Sequence, residues 1–297
     1  MRKDIEFQTR GDNLTLRGWM YVPDNLEGPA ACVVLAHGFT AVKEMALDKY
    51  CEVFCDAGLV AIAYDHRNFG ASDGEPRGEA DPSIQRSDYR DAVSFARDQE
   101  EIDPERIGIW GTSYSAGTVV EVGSIDRRVK AVCAQVPVIS GYWNVRRLMQ
   151  EQEWDTFLEQ VKEAREKEWA GEGIQTLKVV SDDPEEAAAV PGERTLKFFT
   201  SYGDDAPSWR NETTWRTLEY YLEFEPEPYF RRVSPTPLQM IVSTEDTTTP
   251  TDLALKAFNE AHEPKELFLI KGHHYESYVE QFDVTAGAAR DFFLKYL

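Results

Sequence analysis

The stretch RIGIWGTSYSAG, Arg106 to Gly117, decides how the rest of the chain is read. Ile107 to Trp110 reads as a short apolar strand, Gly111-Thr112-Ser113-Tyr114-Ser115 as a tight turn, and the residues beyond the turn as a helix. A serine with small residues two positions to either side suits a nucleophile elbow, because so sharp a turn brings strand and helix too close together for larger side chains. Ser113 is therefore the candidate nucleophile. Ser115 holds the plus-two position, where glycine is more usual. A plainer reading stays open at this point, in which Thr112, Ser113 and Ser115 only cap the helix.

Working outward, the elbow sits in a chain of alternating strands and helices. Asp4 to Arg10 and Leu14 to Val22 read as an antiparallel pair around a Gly11-Asp12-Asn13 turn. Ala31 to Ala36 (ACVVLA) is a continuous apolar run, as expected of a strand buried on both faces, and it ends in His37-Gly38-Phe39-Thr40. A helix over about Glu44 to Ala57 and a strand over Leu59 to Tyr64 lead into the turn Asp65 to Gly74. A further helix, about Ile84 to Gln99, precedes the elbow. After it come strands over Val129 to Val138, Leu238 to Ser243 and Glu266 to Lys271, a helix over Leu253 to Ala261, and a last helix ending at Leu297. This alternation predicts an α/β fold with a mostly parallel sheet covered on both faces. Ligands of such sheets bind at the carboxyl ends of the strands. His37, Ser113, Asp246 and the His273-His274 pair all fall just past predicted strand ends, which points to one active site.

The expected core is residues 1–140 and 236–297, with 141–235 inserted as a mainly helical cap. An amphipathic helix over Val145 to Trp169 opens the insertion, a loop-like Ser181 to Arg194 comes next, and Trp209 to Phe224 closes it. Five of the seven tryptophans fall here (Trp143, Trp154, Trp169, Trp209, Trp215), with Tyr220, Tyr221, Phe224, Tyr229 and Phe230 among or close behind them. Any one of them suits the insertion's own core. Together they suggest a lid with an apolar underside that excludes water, in which Trp143, Trp154, Trp209 and Trp215 are the candidate substrate contacts.

Composition narrows the partners. A net charge of −21 on 297 residues argues against nucleic acid and anionic membranes, both of which call for a basic surface. The start MRKDIEFQTRGDN carries no apolar run after its basic residues, and no stretch approaches the apolar length of a membrane span, so a cytoplasmic protein is expected. Of the four cysteines, Cys32 and Cys133 lie in apolar runs and Cys51 and Cys55 are one helical turn apart with no histidine beside them. Free thiols, no metal and no cofactor are the expectation.

A serine hydroxyl needs a neighbouring base, and the base needs an orienting group. Among five histidines, His37 looks structural, His66 sits in an Asp-x-Arg turn, and His262 ends a helix before Glu263-Pro264. The His273-His274 pair, between the last strand and the last helix, is placed to reach Ser113; His274 is favoured over His273. For the acid, Asp246 in STEDTTTP is preferred, with Glu245 as its possible replacement and a plain turn-forming role as the alternative. The chain order Ser113, Asp246, His274 is the one expected for this class of fold. The backbone N–H groups of Phe39 and Tyr114 are the natural donors to a developing oxyanion.

On these residues the chain resembles an α/β-hydrolase over nearly its whole length. HGFTAVKEM, DHRNFGASDG, GTSYSAG, STEDTTTP and GHHYESY resemble that superfamily's oxyanion loop, post-strand turn, elbow, acid loop and histidine loop. Within it, the chain is similar to the branch that holds dienelactone-hydrolase-like proteins, Xaa-Pro-dipeptidyl-peptidase-like acyl hydrolases and fungal polyketide transferases or thiohydrolases. The resemblance implies acyl transfer to water through a serine ester, with Ser113, Asp246 and His274 as triad and Phe39 and Tyr114 at the oxyanion. Two positions depart from the pattern: Ser115 for the elbow glycine, and Asn68 where the post-strand turn often has glycine. Dienelactone hydrolases proper carry a cysteine nucleophile, so Ser113 argues against that activity. Haloalkane or epoxide chemistry on this fold would need an aspartate there.

The function expected is hydrolysis of an ester or thioester of a fairly apolar acyl group on a small molecule. Polyketide transacylation is the second reading, with Arg146-Arg147 and Arg231-Arg232 meeting an anionic carrier unless they form ordinary surface ion pairs. A non-catalytic ligand binder on the same scaffold is the alternative from another class. Exposed lid aromatics would equally suit a homodimer interface.

Overall fold

The computed structural model describes residues 1–183 and 186–297. The chain begins with an antiparallel pair, β1 (Arg2–Gln8) and β2 (Thr15–Tyr21), followed by β3 (Ala30–Ala36), α1 (Leu47–Asp56), β4 (Val60–Tyr64) and α2 (Pro82–Arg97). Next come β5 (Ile102–Thr112), α3 (Tyr114–Ile125) and β6 (Val129–Gln135). The chain then leaves the sheet through α4 (Gly141–Arg146), α5 (Glu151–Trp169), β7 (Thr176–Leu177), α6 (Glu193–Ser201), β8 (Thr213–Thr214), α7 (Trp215–Glu223) and α8 (Glu227–Phe230). It returns with β9 (Leu238–Ser243), α9 (Thr251–Glu260), β10 (Lys265–Ile270) and α10 (Phe282–Tyr296).

The main sheet has eight strands in the order β1-β2-β4-β3-β5-β6-β9-β10, parallel from β4 onward. Strand alternation splits its side chains between two layers. In β3, Cys32, Val34 and Ala36 enter one core, where Tyr89 of α2, Val119 of α3 and Ala254 of α9 meet them. Ala31, Val33 and Leu35 enter the other, against Tyr50 and Phe54 of α1 and Phe293 of α10. That two-sided burial is why β3 reads as an unbroken apolar run. β3 and β5 are neighbours, but the chain goes from β3 out to β4 before coming back to β5. A crevice for ligands opens at such a reversal, and the loops after β3 and β5 both lie there.

The elements agree with the sequence-based expectations in kind and order, with local differences. α1 begins at Leu47 rather than Glu44, because Ala46 adopts a left-handed conformation (φ 73°) and the Lys43 N–H is taken by Asp65 Oδ1 at 2.8 Å. β5 starts upstream of the Asp103-Pro104 break, pairing Ile102 with Ala30 before a register shift. The single helix expected over Val145 to Trp169 is two: α4 ends at Arg146, and α5 starts afresh where the Gln150 N–H donates to Glu153 Oε2 at 2.7 Å. The loop expected over Ser181 to Arg194 includes 184 and 185, which lie outside the described residues; α6 already begins at Glu193. All four thiols are free, and burial raises those of Cys32, Cys51 and Cys133, which keeps them protonated and inert. Among the described residues no helix is long and apolar enough to cross a membrane.

Candidate active site

Ser113 sits between β5 and α3 with φ 56° and ψ −115°, a conformation L-residues rarely adopt. The surroundings hold it there. Its N–H donates to Gln135 O at 2.8 Å and its carbonyl accepts from the Val138 N–H at 3.0 Å. The minus-two residue must be glycine, since a Cβ on Gly111 would lie 2.3 Å from Ser115 O. The plus-two position explains its own departure: the buried Ser115 hydroxyl donates to Ala36 O at 2.8 Å and accepts from the Thr112 N–H at 2.9 Å. Serine here ties the elbow to the end of β3, a bond glycine could not make.

His274, after β10, points Nε2 at Ser113 Oγ, 3.1 Å away, and Nδ1 at Asp246 Oδ2, 2.7 Å away. Asp246 and His274 are both buried. The two carboxylate oxygens of Asp246 face different partners. Oδ1 accepts from the N–H groups of Thr248 (2.8 Å) and Thr249 (2.9 Å), closing the turn and leaving Oδ2 for the histidine. The Thr249 hydroxyl lies 2.9 Å from Asp246 Oδ2 and 3.0 Å from Val136 O. It therefore braces the carboxylate, a role the sequence did not suggest. The neighbouring alternatives are directed elsewhere: His273 Nδ1 donates to the Glu245 carbonyl at 2.7 Å, and Glu245 Oε2 is 3.6 Å from His273 Nε2.

The loop after β3 closes the other side. A Cβ on Gly38 would be 3.4 Å from Ser113 Cβ, so Phe39 comes immediately beside the elbow. The Tyr114 N–H heads α3, where no intrahelical acceptor exists. This loop is locked to the turn after β4. Lys43 Nζ donates to Asp65 Oδ2 at 2.6 Å in a buried pair, and the His66 N–H donates to His37 Nε2 at 3.1 Å, which leaves Nδ1 to donate to Gly38 O at 2.9 Å. Asn68 stands in for glycine at φ 70°, and its Nδ2 donates to Glu79 O at 3.0 Å.

Burial lowers the His37 imidazole and drives His66 well below the usual histidine range; neither ring nitrogen of His66 has a partner among the described residues. The fold thus favours the neutral form of both, while histidines in the unfolded chain take up protons near pH 6.5. As pH falls through that value the unfolded state binds more protons, so stability declines by up to about 1.4 kcal/mol per pH unit for each histidine. Urea unfolding at successive pH values from 7 down to 5 should show this slope, and His66→Phe should remove part of it; an unaltered slope in the variant contradicts the assignment.

A cavity of about 100 Å³ lies over Ser113 and His274. Phe39, Val145, Leu148, Leu218, Tyr221 and Tyr275 form much of its wall. Asn144 donates through Nδ2 to Tyr221 Oη at 3.1 Å, and among the described residues its Oδ1, like Trp110 Nε1 on the same cavity, is buried without a partner. None of the four tryptophans expected to contact substrate is in this lining. Trp143 is half exposed, edge-on to Tyr142. Trp154 is buried in the insertion's own cluster with Phe157, Leu177 and Leu218. Trp215 lines an adjoining cavity. Trp209 stacks on Phe199 and donates Nε1–H to Thr40 O at 3.0 Å, so it braces the loop that carries Phe39. A hydrogen bond of this kind contributes about 1 kcal/mol, so Trp209→Phe should lower kcat on an ester substrate by about fivefold with little change in KM; unchanged kcat would remove the bracing role. The arginine pairs are engaged as surface contacts: Arg146 with Glu151, Arg147 with Asp252, Arg231 with Glu260, and Arg232 over the Tyr229 ring.

The doubly covered sheet and the elbow at its crevice make this an α/β hydrolase. The chain belongs to the X-Pro dipeptidyl-peptidase (S15) family, which it matches over residues 11–276. It is similar to thiohydrolase aneE of Aspergillus aculeatus, with 34% identity over 91% of this chain and 86% of that protein. Polyketide transferase ATR5 of Stachybotrys chlorohalonatus is 32% identical over 92% of this chain and 90% of its own length. In structure the chain resembles the α/β hydrolase GrgF of Penicillium sp. sh18, with a TM-score of 0.85, 25% identity, and coverage of 100% of this chain and 99% of the other.

Proposed function

We propose that the protein cleaves an ester or thioester of an apolar acyl group through Ser113, His274 and Asp246, with residues 141–235 as a cap over the site. The hydrogen-bonded line from Ser113 Oγ through the imidazole to Asp246 carries this reading. Ser113 Oγ attacks the carbonyl carbon while His274 Nε2 takes its proton, and the Phe39 and Tyr114 N–H groups receive the oxyanion. Collapse expels the alcohol or thiol, which leaves with the proton from His274. Water then attacks the acyl-serine, giving its proton to His274, and the acid departs as that proton returns to Ser113. Asp246 holds the imidazole in the tautomer that presents a bare Nε2 and balances its charge when protonated.

Relatives named polyketide transferases support a second reading, in which an acceptor hydroxyl or amine replaces water in the last step. Mixing the protein with butanoyl and benzoyl thioesters and recording intact mass within the first turnovers tests both. A butanoyl or benzoyl adduct that decays to free acid supports hydrolysis, and one that persists until an alcohol is added supports transfer. No thiol release and no adduct would sink both.

A further inference from the structure

The cavity over Ser113 is small for the acyl groups its apolar wall suits. Its volume of about 100 Å³ falls below the roughly 300–1,000 Å³ of sites that enclose a drug-sized ligand. Beside it lies a second cavity of about 450 Å³. Val145, Leu148, Ala189, Pro191 and Leu218 line both, so the two cavities share a wall of apolar side chains. Farther out, Met149, Phe157, Leu177 and Trp215 extend the apolar surface, and exposed residues of α5, Gln152, Thr156 and Gln160, rim its mouth.

We propose that the two cavities are one acyl channel. The carbonyl lies at Ser113, the first carbons fill the inner cavity, and the tail passes Leu218 and Val145 into the outer one, so the substrate is a medium to long, largely unbranched acyl group. The proposal rests on reading Ser113 as the acyl acceptor. The charge of the outer cavity decides which end of a thioester it takes. Among the described residues no lysine, arginine or histidine lines it, while Glu153 and Glu186 do. A phosphate-bearing carrier arm would meet carboxylates and apolar carbon there, whereas an alkyl tail leaves water for a surface that rewards each buried methylene.

Thr156→Phe and Ala188→Phe each place a ring in the outer cavity without touching the inner one. Either should lower the ratio of kcat/KM for p-nitrophenyl dodecanoate over p-nitrophenyl butanoate at least about tenfold, since a few methylenes are denied burial. An unchanged ratio, whether both esters keep their rates or both lose them as a blocked entrance would require, overturns the proposal. Binding reports the channel without turnover. In Ser113→Ala protein, a Trp215→Phe change should remove most of the quench of tryptophan emission by ω-bromododecanoate and leave any quench by ω-bromobutanoate, whose bromine stays in the inner cavity beside Trp110, unaltered. A dodecanoate quench indifferent to Trp215 contradicts the channel even if the hydrolytic reading of Ser113 stands, and Ser113-independent turnover contradicts that reading alone.

Discussion

Ser113→Ala should lower kcat for p-nitrophenyl butanoate hydrolysis by on the order of 10⁵–10⁶-fold, the loss typical when a serine nucleophile is removed from an intact triad. Alanine keeps the Cβ and the strained φ of 56°, so the fold and the loop after β3 are preserved. KM should stay near its wild-type value, because the cavity walls come from other elements. A circular dichroism spectrum superimposable on wild type, with turnover lost, is the expected pair of results. Full activity in the variant would move the nucleophile elsewhere.

The second large effect separates two adjacent histidines. His274→Ala should cost about as much as Ser113→Ala, since residues acting as one catalytic unit are each indispensable. His273→Ala should stay within about threefold of wild type, for its imidazole contacts the Glu245 backbone at 2.7 Å and makes no contact with Ser113. Loss of that one bond matters little beside the loss of the base. Turnover abolished by His273→Ala and spared by His274→Ala would reverse the assignment.

The reach of the sequence alone depends on the property each signal encodes. Strand ends were visible because β3, β4, β9 and the second half of β5 are apolar runs that stop abruptly, and the residues after them were bound to gather at one edge of the sheet. Neighbouring residues such as His273 and His274, or Glu245 and Asp246, share almost every sequence property. Backbone direction separates them, and that is set by contacts such as the Ser277 hydroxyl on His274 O and the Thr248 and Thr249 amides on Asp246. Thr249 was invisible for the same reason, since its hydroxyl matters only once the turn exists.

Trp143, Trp154 and Trp209 lie outside the cavity over Ser113, and Trp215 only beside it, because aromatic content reports burial without saying against what. Trp154 on α5 faces the insertion's own cluster and Tyr221 on α7 faces the cavity, while Leu218, one turn before Tyr221, touches both. Helical spacing identifies each face, but only the packed arrangement says which one covers Ser113. The departures Ser115 and Asn68 were legible as departures; their purposes, a bond to Ala36 and a bond to Glu79, required partners from distant parts of the chain.

The central claim is that Ser113 is the activated nucleophile. A fluorophosphonate probe followed by peptide mass spectrometry tests it most directly: the adduct should map to Ser113 in the wild-type protein and vanish in Ser113→Ala. An unlabelled wild type, or equal labelling of both proteins, would contradict it.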